Sequence, residues 1–563
     1  MRVVARRLGA GLLGLGLAAC SSGRTCCAPA ASVQVAPVAP APAAAPSLMA
    51  CGAGKCGGGG AVGAGRVSGL TVTPGEPETN SERYAAAPEA GFVATSVQPL
   101  STFSIDVDTA SYANVRRMIE AGERPPADAV RIEELVNYFP YGYAPPSGPE
   151  PFAASFEVAD CPWAADHRLA RVALASRAVP ASERPPCNLV FLVDVSGSMQ
   201  SENKLPLVQS SLRMLVDALE PRDHVAIVAY AGAAGLVIPS TGCDRKPTIR
   251  EAIDAMQAGG STAGGAGIEL AYKVATEGFV KGGVNRVILA TDGDFNVGVT
   301  DRAELIRLIE RHAKSGVFLT CLGFGMGNLK DDTLESLADK GNGAYGYVDS
   351  EAEARKLLVQ ELGATLVVVA KDVKLQVEFD PTAVAAWRLL GYDNRVLAAQ
   401  DFADDAKDAG EIGAGHAVTA FYELIPPGVP VPGAAVPPLR YQSPPTPTSE
   451  AGRGELLTLR VRHKEPDGDR SVEQVLPLAD PGRRGFATAT EDFRFASAVA
   501  AFGMLLRASP HHGTATLTDV RGWADGARGA DPQGYRAAFV GLVEKAARPI
   551  PERPDVAPAD RAR

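Results

Sequence analysis

The chain has 563 residues, room for about two to four domains, and 46% of its residues are hydrophobic, as in ordinary globular proteins. Its formal net charge of −10 gives no general electrostatic basis for binding nucleic acid, because polyanions attract basic proteins. The same acidity favours divalent cations.

Residues 1–19 have the pattern of a secretory signal peptide. Arginines near the start precede an apolar run over residues 8–19, which is too short to indicate a membrane-spanning helix. The run ends in Leu-Ala-Ala followed by Cys20 and resembles the lipobox of bacterial lipoproteins. This resemblance implies cleavage before Cys20 and acylation of that residue, and Ser21 implies sorting to the outer membrane. The alternative is ordinary secretion with a coincidental cysteine.

Residues 20–98 are rich in Ala, Pro, Gly and Ser and carry few large apolar side chains. Such a composition cannot bury enough surface to form a core, so we interpret the segment as a disordered tether. Cys51 and Cys56 lie in it, but their spacing is not that of a zinc site, and disulfides or free thiols are the simpler interpretation. No later stretch is as long and apolar as a membrane-spanning helix.

Residues 99–185 contain a helix-like segment and two predicted strands, over residues 152–158 and 169–175. Near its start, Asp106 and Asp108 form the D-x-D-x-T-like pattern of haloacid dehalogenase-type phosphatases, in which the first aspartate is the nucleophile and the second an acid/base. A Mg²⁺-dependent phosphatase or hydrolase is therefore one alternative function. The short polar strand before this motif and the absence of the family's later motifs count against it.

Residues 186–366 alternate between apolar strands and amphipathic helices. Strands are predicted over residues 189–194, 224–230, 235–239, 284–291, 317–323 and 345–348. Helices are predicted over residues 204–219, 248–257, 268–276, 302–314, 334–340 and 351–366. This alternation predicts an α/β domain with a doubly wound, mostly parallel sheet covered by helices on both faces.

Hard oxygen ligands follow two of these strands. Asp194, Ser196 and Ser198 follow the first strand, Thr262 lies in a Gly-rich loop, and Asp292 ends the strand over residues 284–291. Ligands of open α/β sheets bind beyond the carboxyl ends of the strands, and these oxygens suit Mg²⁺, with Mn²⁺ or Ca²⁺ as alternatives.

This pattern resembles the metal-ion-dependent adhesion site of von Willebrand factor type A domains. The resemblance implies that Ser196, Ser198 and Thr262 bind the ion directly, and that Asp194 and Asp292 contact it directly or through water. It also implies that the bound ion accepts a carboxylate from a partner.

The segments on both sides of the central domain resemble a bacterial family of type A-domain lipoproteins called YfbK-like, through residues 103–112, 130–139, 391–395 and 408–416. Residues 367–490 are predicted to be β-rich, residues 491–550 helical and residues 551–563 a tail. The flanking strands are expected to join in one sandwich, with the type A domain inserted between them. The acidic cluster around Asp404 lacks the pattern of a calcium loop.

These observations predict a cell-envelope lipoprotein that is no enzyme. It would bind a carboxylate-bearing protein partner through the metal and the membrane through its lipid anchor, with no nucleic acid. The protein would face the periplasm or the cell surface from the outer membrane. A second alternative is a scaffold in which the metal only steadies the loops.

Overall fold

The computed structural model describes residues 82–86, 88–105, 108–260, 264–293, 302–361, 366–407, 409–433, 446–466 and 468–548. Of the predicted site residues, Cys20, Asp106 and Thr262 lie outside these ranges. None of the helices in the described ranges combines the length and the hydropathy that crossing a bilayer requires.

The elements before the central domain are β1 (Val93–Ala94), β2 (Leu100–Ser104), α1 (Ala110–Glu120), α2 (Ile132–Asn137), β3 (Phe152–Asp160) and β4 (Arg168–Ser176). The central domain contains β5 (Cys187–Asp194), α3 (Leu205–Ala218), β6 (His224–Tyr230), β7 (Ala234–Gly242), α4 (Lys246–Asp254), α5 (Gly264–Glu277), β8 (Val284–Thr291), α6 (Arg302–Lys314), β9 (Phe318–Phe324), α7 (Asp331–Lys340), β10 (Tyr345–Val348) and α8 (Glu351–Arg355). It is followed by β11 (Val368–Phe379), β12 (Ala386–Leu390), β13 (Ile412–Gly413), β14 (Ala417–Ile425), β15 (Glu455–Lys464), β16 (Ser471–Ala479), α9 (Glu491–Leu506), α10 (Leu517–Asp525) and α11 (Tyr535–Ala546).

The central sheet has the strand order β10-β9-β8-β5-β6-β7. Its strands are parallel except for β7, which pairs antiparallel with β6. Alternate residues of β5 enter different cores: Phe191 packs with α3 and α4, whereas Leu192 packs with α5, α6 and α7. The sheet is therefore buried on both faces, which confirms the predicted doubly wound domain.

The flanking strands form a β-sandwich. One sheet has the order β1-β12-β14-β4-β3, and the other has the order β13-β11-β15-β16 with β2 paired to β11. Val172 of the first sheet shares a core with Val377 and Leu459 of the second. Strands from before and after the central domain thus share both sheets, so the predicted insertion of the type A domain between β-rich segments is confirmed.

The carboxy-terminal helices pack on α2 and one end of the sandwich. Helix α9 is almost entirely buried, and Thr490 caps it by accepting a hydrogen bond from the backbone amide of Phe493 at 3.2 Å. The prediction of a helical C-terminal part is confirmed. The predicted closing helix of the central domain is less regular than expected, because α8 continues as a π-helix over Lys356–Gln360.

The assignment of residues 20–98 to a tether is wrong for the end of that range. From Glu82 onward the described residues pack on the body of the protein, and β1 adds a strand to the sandwich. The carboxylate of Glu89 lies 2.9 Å from the guanidinium of Arg388, which is fully buried. Composition missed this because the segment is held by pairing and ion pairs more than by large apolar side chains.

Candidate metal centre

The candidate site lies where two neighbouring parallel strands end. Strand β5 pairs with β8 over its length, so that Val193 lies opposite Ala290. The chain leaves both strands at the same edge of the sheet, and this brings Asp194 and Asp292 together in space. Such an edge is where open α/β sheets bind their ligands.

Asp194 is fully buried, and three groups donate hydrogen bonds to its carboxylate. The backbone amide of Ser196 donates at 2.9 Å, and the hydroxyls of Tyr230 and Thr291 each donate at 3.2 Å. Burial raises the pKa of Asp194 above its ordinary value, hydrogen bonds from Ser196 oppose this, and the nearby charge of Asp292 adds to it. The two carboxylates thus repel each other across the site.

Two serine hydroxyls stand beside this carboxylate. The Oγ atoms of Ser196 and Ser198 are 3.1 Å apart. Ser196 is buried and Ser198 is exposed to solvent. One hydroxyl therefore belongs to the floor of the site and the other to its rim.

The Gly-rich loop that carries Thr262 is tied to these serines by backbone hydrogen bonds. The amide of Gly197 donates to the carbonyl of Gly260 at 3.0 Å, and the amide of Gly259 donates to the carbonyl of Val195 at 2.7 Å. Thr262 itself is outside the described residues, so its role stays a prediction.

Asp292 is fully buried and surrounded by donors. The ammonium of Lys204 lies 3.0 Å from its Oδ2 atom, and Asn328 and Ser198 also form hydrogen bonds with its side chain. Burial alone would raise the pKa of Asp292, but the hydrogen bond from Asn328 and the charge of Lys204 hold it below its ordinary value. Asp292 is therefore an anion at neutral pH.

Sequence reasoning did not find Lys204, Asn328, Tyr230 or Thr291. Tyr230 and Thr291 end strands β6 and β8, which flank β5, so their proximity to Asp194 could have been inferred from the parallel sheet. Lys204 and Asn328 carry no such signal, because they belong to segments that only the fold brings to this edge.

The described donors fit a hard divalent cation. They are two carboxylates and two hydroxyls, with no sulfur or imidazole in the site, and such oxygens suit Mg²⁺ or Mn²⁺. Repulsion between Asp194 and Asp292 is a further reason for a cation to bind. Within the described ranges no group of three or more His, Cys, Asp or Glu residues is arranged to hold a metal.

Asp108, the second aspartate of the phosphatase-like motif, lies elsewhere and is buried at 5% exposure. It accepts a hydrogen bond from the backbone amide of Tyr345 at 2.8 Å and lies 3.7 Å from the guanidinium of Arg395. These contacts join the first residues of the flank to β10 of the central domain, and they give Asp108 a structural role.

The cysteines of the described region and the acidic cluster around Asp404 are part of the fold. Cys161, Cys187, Cys243 and Cys321 are buried free thiols, so Cys161 and Cys187 do not pair. Asp405, in the acidic cluster, pairs with Arg462 at 2.9 Å.

Comparison with family models matches three parts of the chain. Residues 78–171 match the model described as von Willebrand factor, residues 188–361 match the von Willebrand factor type A domain, and residues 364–548 match the C-terminal model of the uncharacterized protein YfbK.

Comparison with individual proteins gives a relative that spans most of the chain. The chain is 44% identical over 455 residues to the uncharacterized protein YfbK of Escherichia coli, covering 80% of this chain and 78% of that protein. It is 31% identical over 179 residues to the human inter-alpha-trypsin inhibitor heavy chain H4, covering 30% of this chain and 19% of that one. A solved von Willebrand factor type A structure from Catenulispora acidiphila covers 70% of this chain and 87% of its own, with 17% identity and a TM-score of 0.38.

Proposed function

The chain belongs to the family of the Escherichia coli protein YfbK, and on this premise we propose that it binds a protein partner through a divalent cation in its type A domain. The proposed ligands of the cation are Asp194, Ser196, Ser198, Thr262 and Asp292. The partner would supply a carboxylate to the ion.

The observation that carries this proposal is the placement of the two serine hydroxyls beside the buried carboxylates, with the Oγ atoms 3.1 Å apart and Ser198 exposed. Hydroxyls bring no formal charge to a cation, whereas each carboxylate ligand would neutralise part of its charge. A Mg²⁺ or Mn²⁺ ion held largely by hydroxyls stays electrophilic and can accept an anionic ligand from solvent. Solvent access at Ser198 provides the direction from which a partner would approach.

The proposed place of action is the cell envelope. We propose that Cys20 is acylated and anchors the chain to the outer membrane, where the protein faces the periplasm or the cell surface. The arginines and the apolar run of residues 1–19 support secretion, and the motif at Cys20 supports anchoring.

One other function has a specific observation in its favour. Lys204 pairs with Asp292, so the loops of the site already contain a cation of their own, as expected of a scaffold that does not capture a ligand. The phosphatase hypothesis has no comparable support, because the carboxylate of Asp108 is buried and bonded within the fold.

Chemical cross-linking in cell-envelope preparations tests the proposed function. The wild-type protein is compared with Ser196→Ala and with Ser315→Ala, a matched control at an exposed serine just before β9, at the edge of the sheet opposite the site. We expect a cross-linked adduct that forms in Mg²⁺, disappears in EDTA, and is lost in Ser196→Ala but kept in Ser315→Ala. An adduct equally abundant in all samples would exclude capture through the metal.

A further inference from the structure

Lys204 is positioned at the candidate metal centre by the fold. It lies at the start of α3 with only 6% of its surface exposed. Its ammonium is 3.0 Å from Oδ2 of Asp292 and 3.4 Å from Oδ1 of Asn328. Burying a lysine costs free energy unless the charge is paired, so this position depends on Asp292.

The loop after β9 faces the side chain of Lys204 and leaves room for it. Gly325, directly after β9, has a φ of +72°, and a Cβ atom there would collide with the Cγ and Cε atoms of Lys204. A larger residue at position 325 would displace the lysine from Asp292. The lysine is therefore enclosed by the loop after β9, which also supplies Asn328.

The charges at the site put this ammonium in competition with a metal ion. Asp194 and Asp292 contribute two negative charges. A divalent cation would balance them, and Lys204 would then leave one positive charge in surplus. Like charges at a few ångströms disfavour each other even when partly screened by the protein. The same surplus is neutralised when an anionic group joins the ion.

We propose that Lys204 is a resident cation of the metal centre. It keeps Asp292 paired when no metal is bound, lowers the affinity for the divalent cation, and makes binding of metal and of an anionic ligand mutually reinforcing. This inference rests on the proposed function, since it assumes that the metal binds at Asp292. By linkage, an anion that strengthens metal binding must itself bind more tightly to the loaded site.

Calorimetric titration with Mn²⁺ tests the inference. The full-length wild-type protein is compared with Lys204→Gln and Lys204→Met, in chloride and in acetate at equal ionic strength. Lys246→Gln is the matched control, because it removes one positive charge from a half-buried lysine whose ammonium donates a solvent-exposed hydrogen bond to the carbonyl of Asp217. Thermal melting without metal provides a second readout.

We expect Lys204→Gln to bind Mn²⁺ about tenfold or more tightly than the wild type in chloride. Acetate should strengthen Mn²⁺ binding by the wild type and change it little in Lys204→Gln. The metal-free Lys204→Met protein should melt at a lower temperature than the wild type, because the buried carboxylate of Asp292 loses its ion pair and keeps neutral hydrogen-bond partners. Lys246→Gln should behave as the wild type in each measurement.

Saturable Mn²⁺ binding by the wild type, with equal or weaker binding by the Lys204 variants, would overturn the inference and leave the proposed function standing. Binding by Lys204→Gln alone would support the inference, since the lysine would then suppress loading. Absence of binding in the wild type and in both Lys204 variants, all folded, would overturn the proposed function together with this inference.

Discussion

The guanidinium of Arg131 lies 2.7 Å from the carboxylate of Glu335, and this ion pair joins the segment before the type A domain to helix α7 within it. Both side chains are buried, with 6% and 8% exposed. Arg131 also contacts Glu134 of its own segment and Asp331 of the domain. The inserted domain is thus fastened to its flank by buried charges.

Arg131→Met should destabilise the protein by about 3–5 kcal/mol, because it removes the cation paired with the buried carboxylates of Glu134 and Asp331 and leaves Glu335 with Arg395 as its cation. Chemical unfolding followed by circular dichroism measures this loss. Arg453→Met is the control, since its ion pair with Glu450 is exposed and such pairs contribute about 1 kcal/mol at most. Equal, small effects of both substitutions would show that the interface does not depend on this network.

Glu133 should make stability depend on pH. Its Oε2 atom meets no hydrogen-bond donor among the described residues, and burial, with the neighbouring Glu134, raises its pKa to about 7. An unfolded glutamate titrates near pH 4.3. Between roughly pH 4.5 and 7 the folded protein keeps a proton that the unfolded chain releases, so the free energy of unfolding falls as the pH rises through this window.

Glu133→Gln should therefore stabilise the protein at pH 8 by on the order of 2 kcal/mol and have little effect near pH 4. Urea unfolding at both pH values measures the difference. Glu251→Gln, at an exposed position of α4, is the control and should change stability little at either pH. A loss of stability at pH 8 in Glu133→Gln would mean that the ionised carboxylate is favoured in the fold.

The four cysteines of the folded region should be unreactive in the native protein. Burial raises the pKa of Cys187 to about 12 and that of Cys243 to about 11, and raises those of Cys161 and Cys321 as well. Because the thiolate is the reactive form, iodoacetamide at pH 8 should label these residues only after unfolding. Peptide mapping by mass spectrometry measures the labelling, and a disulfide-linked Cys161–Cys187 peptide would contradict the structure.

Removal of residues 82–98 should weaken the sandwich. A variant that begins at residue 99 loses β1 and Glu89, one of the two carboxylates that pair with the buried guanidinium of Arg388, the other being Glu423. We expect its free energy of unfolding to be about 3 kcal/mol lower than that of a variant that begins at residue 81. A difference of this size is in line with the loss of one partner of a buried ion pair. Equal stabilities would show that this segment packs without contributing to the fold.

The sequence predicted the central domain well because each of its strands and helices has its own hydrophobic periodicity. Strands β6, β8 and β10 and helix α6 begin and end where the pattern places them. Strand β12 was missed because Ala386–Leu390 is buried along its whole length and shows no alternation. Strand β16 was missed because it lies at the edge of its sheet. It leaves Val472 and Val475 half exposed, so its apolar residues do not mark a buried face.

The candidate site could be predicted only where its residues follow one another at strand ends. Asp194, Ser196, Ser198 and Asp292 were found by spacing, and the structure brings these four together. Lys204 was not found, since a lysine at the start of a helix is common in sequence and becomes informative only when the fold places its ammonium against Asp292.

Calorimetric titration of the wild-type protein and of Ser196→Ala with Mn²⁺ and Mg²⁺ tests the central claim most directly. The account predicts saturable binding of one ion by the wild type, lost in Ser196→Ala and kept in Ser315→Ala, with all three proteins folded. Equal binding by the wild type and Ser196→Ala would place the metal elsewhere and contradict the proposed centre.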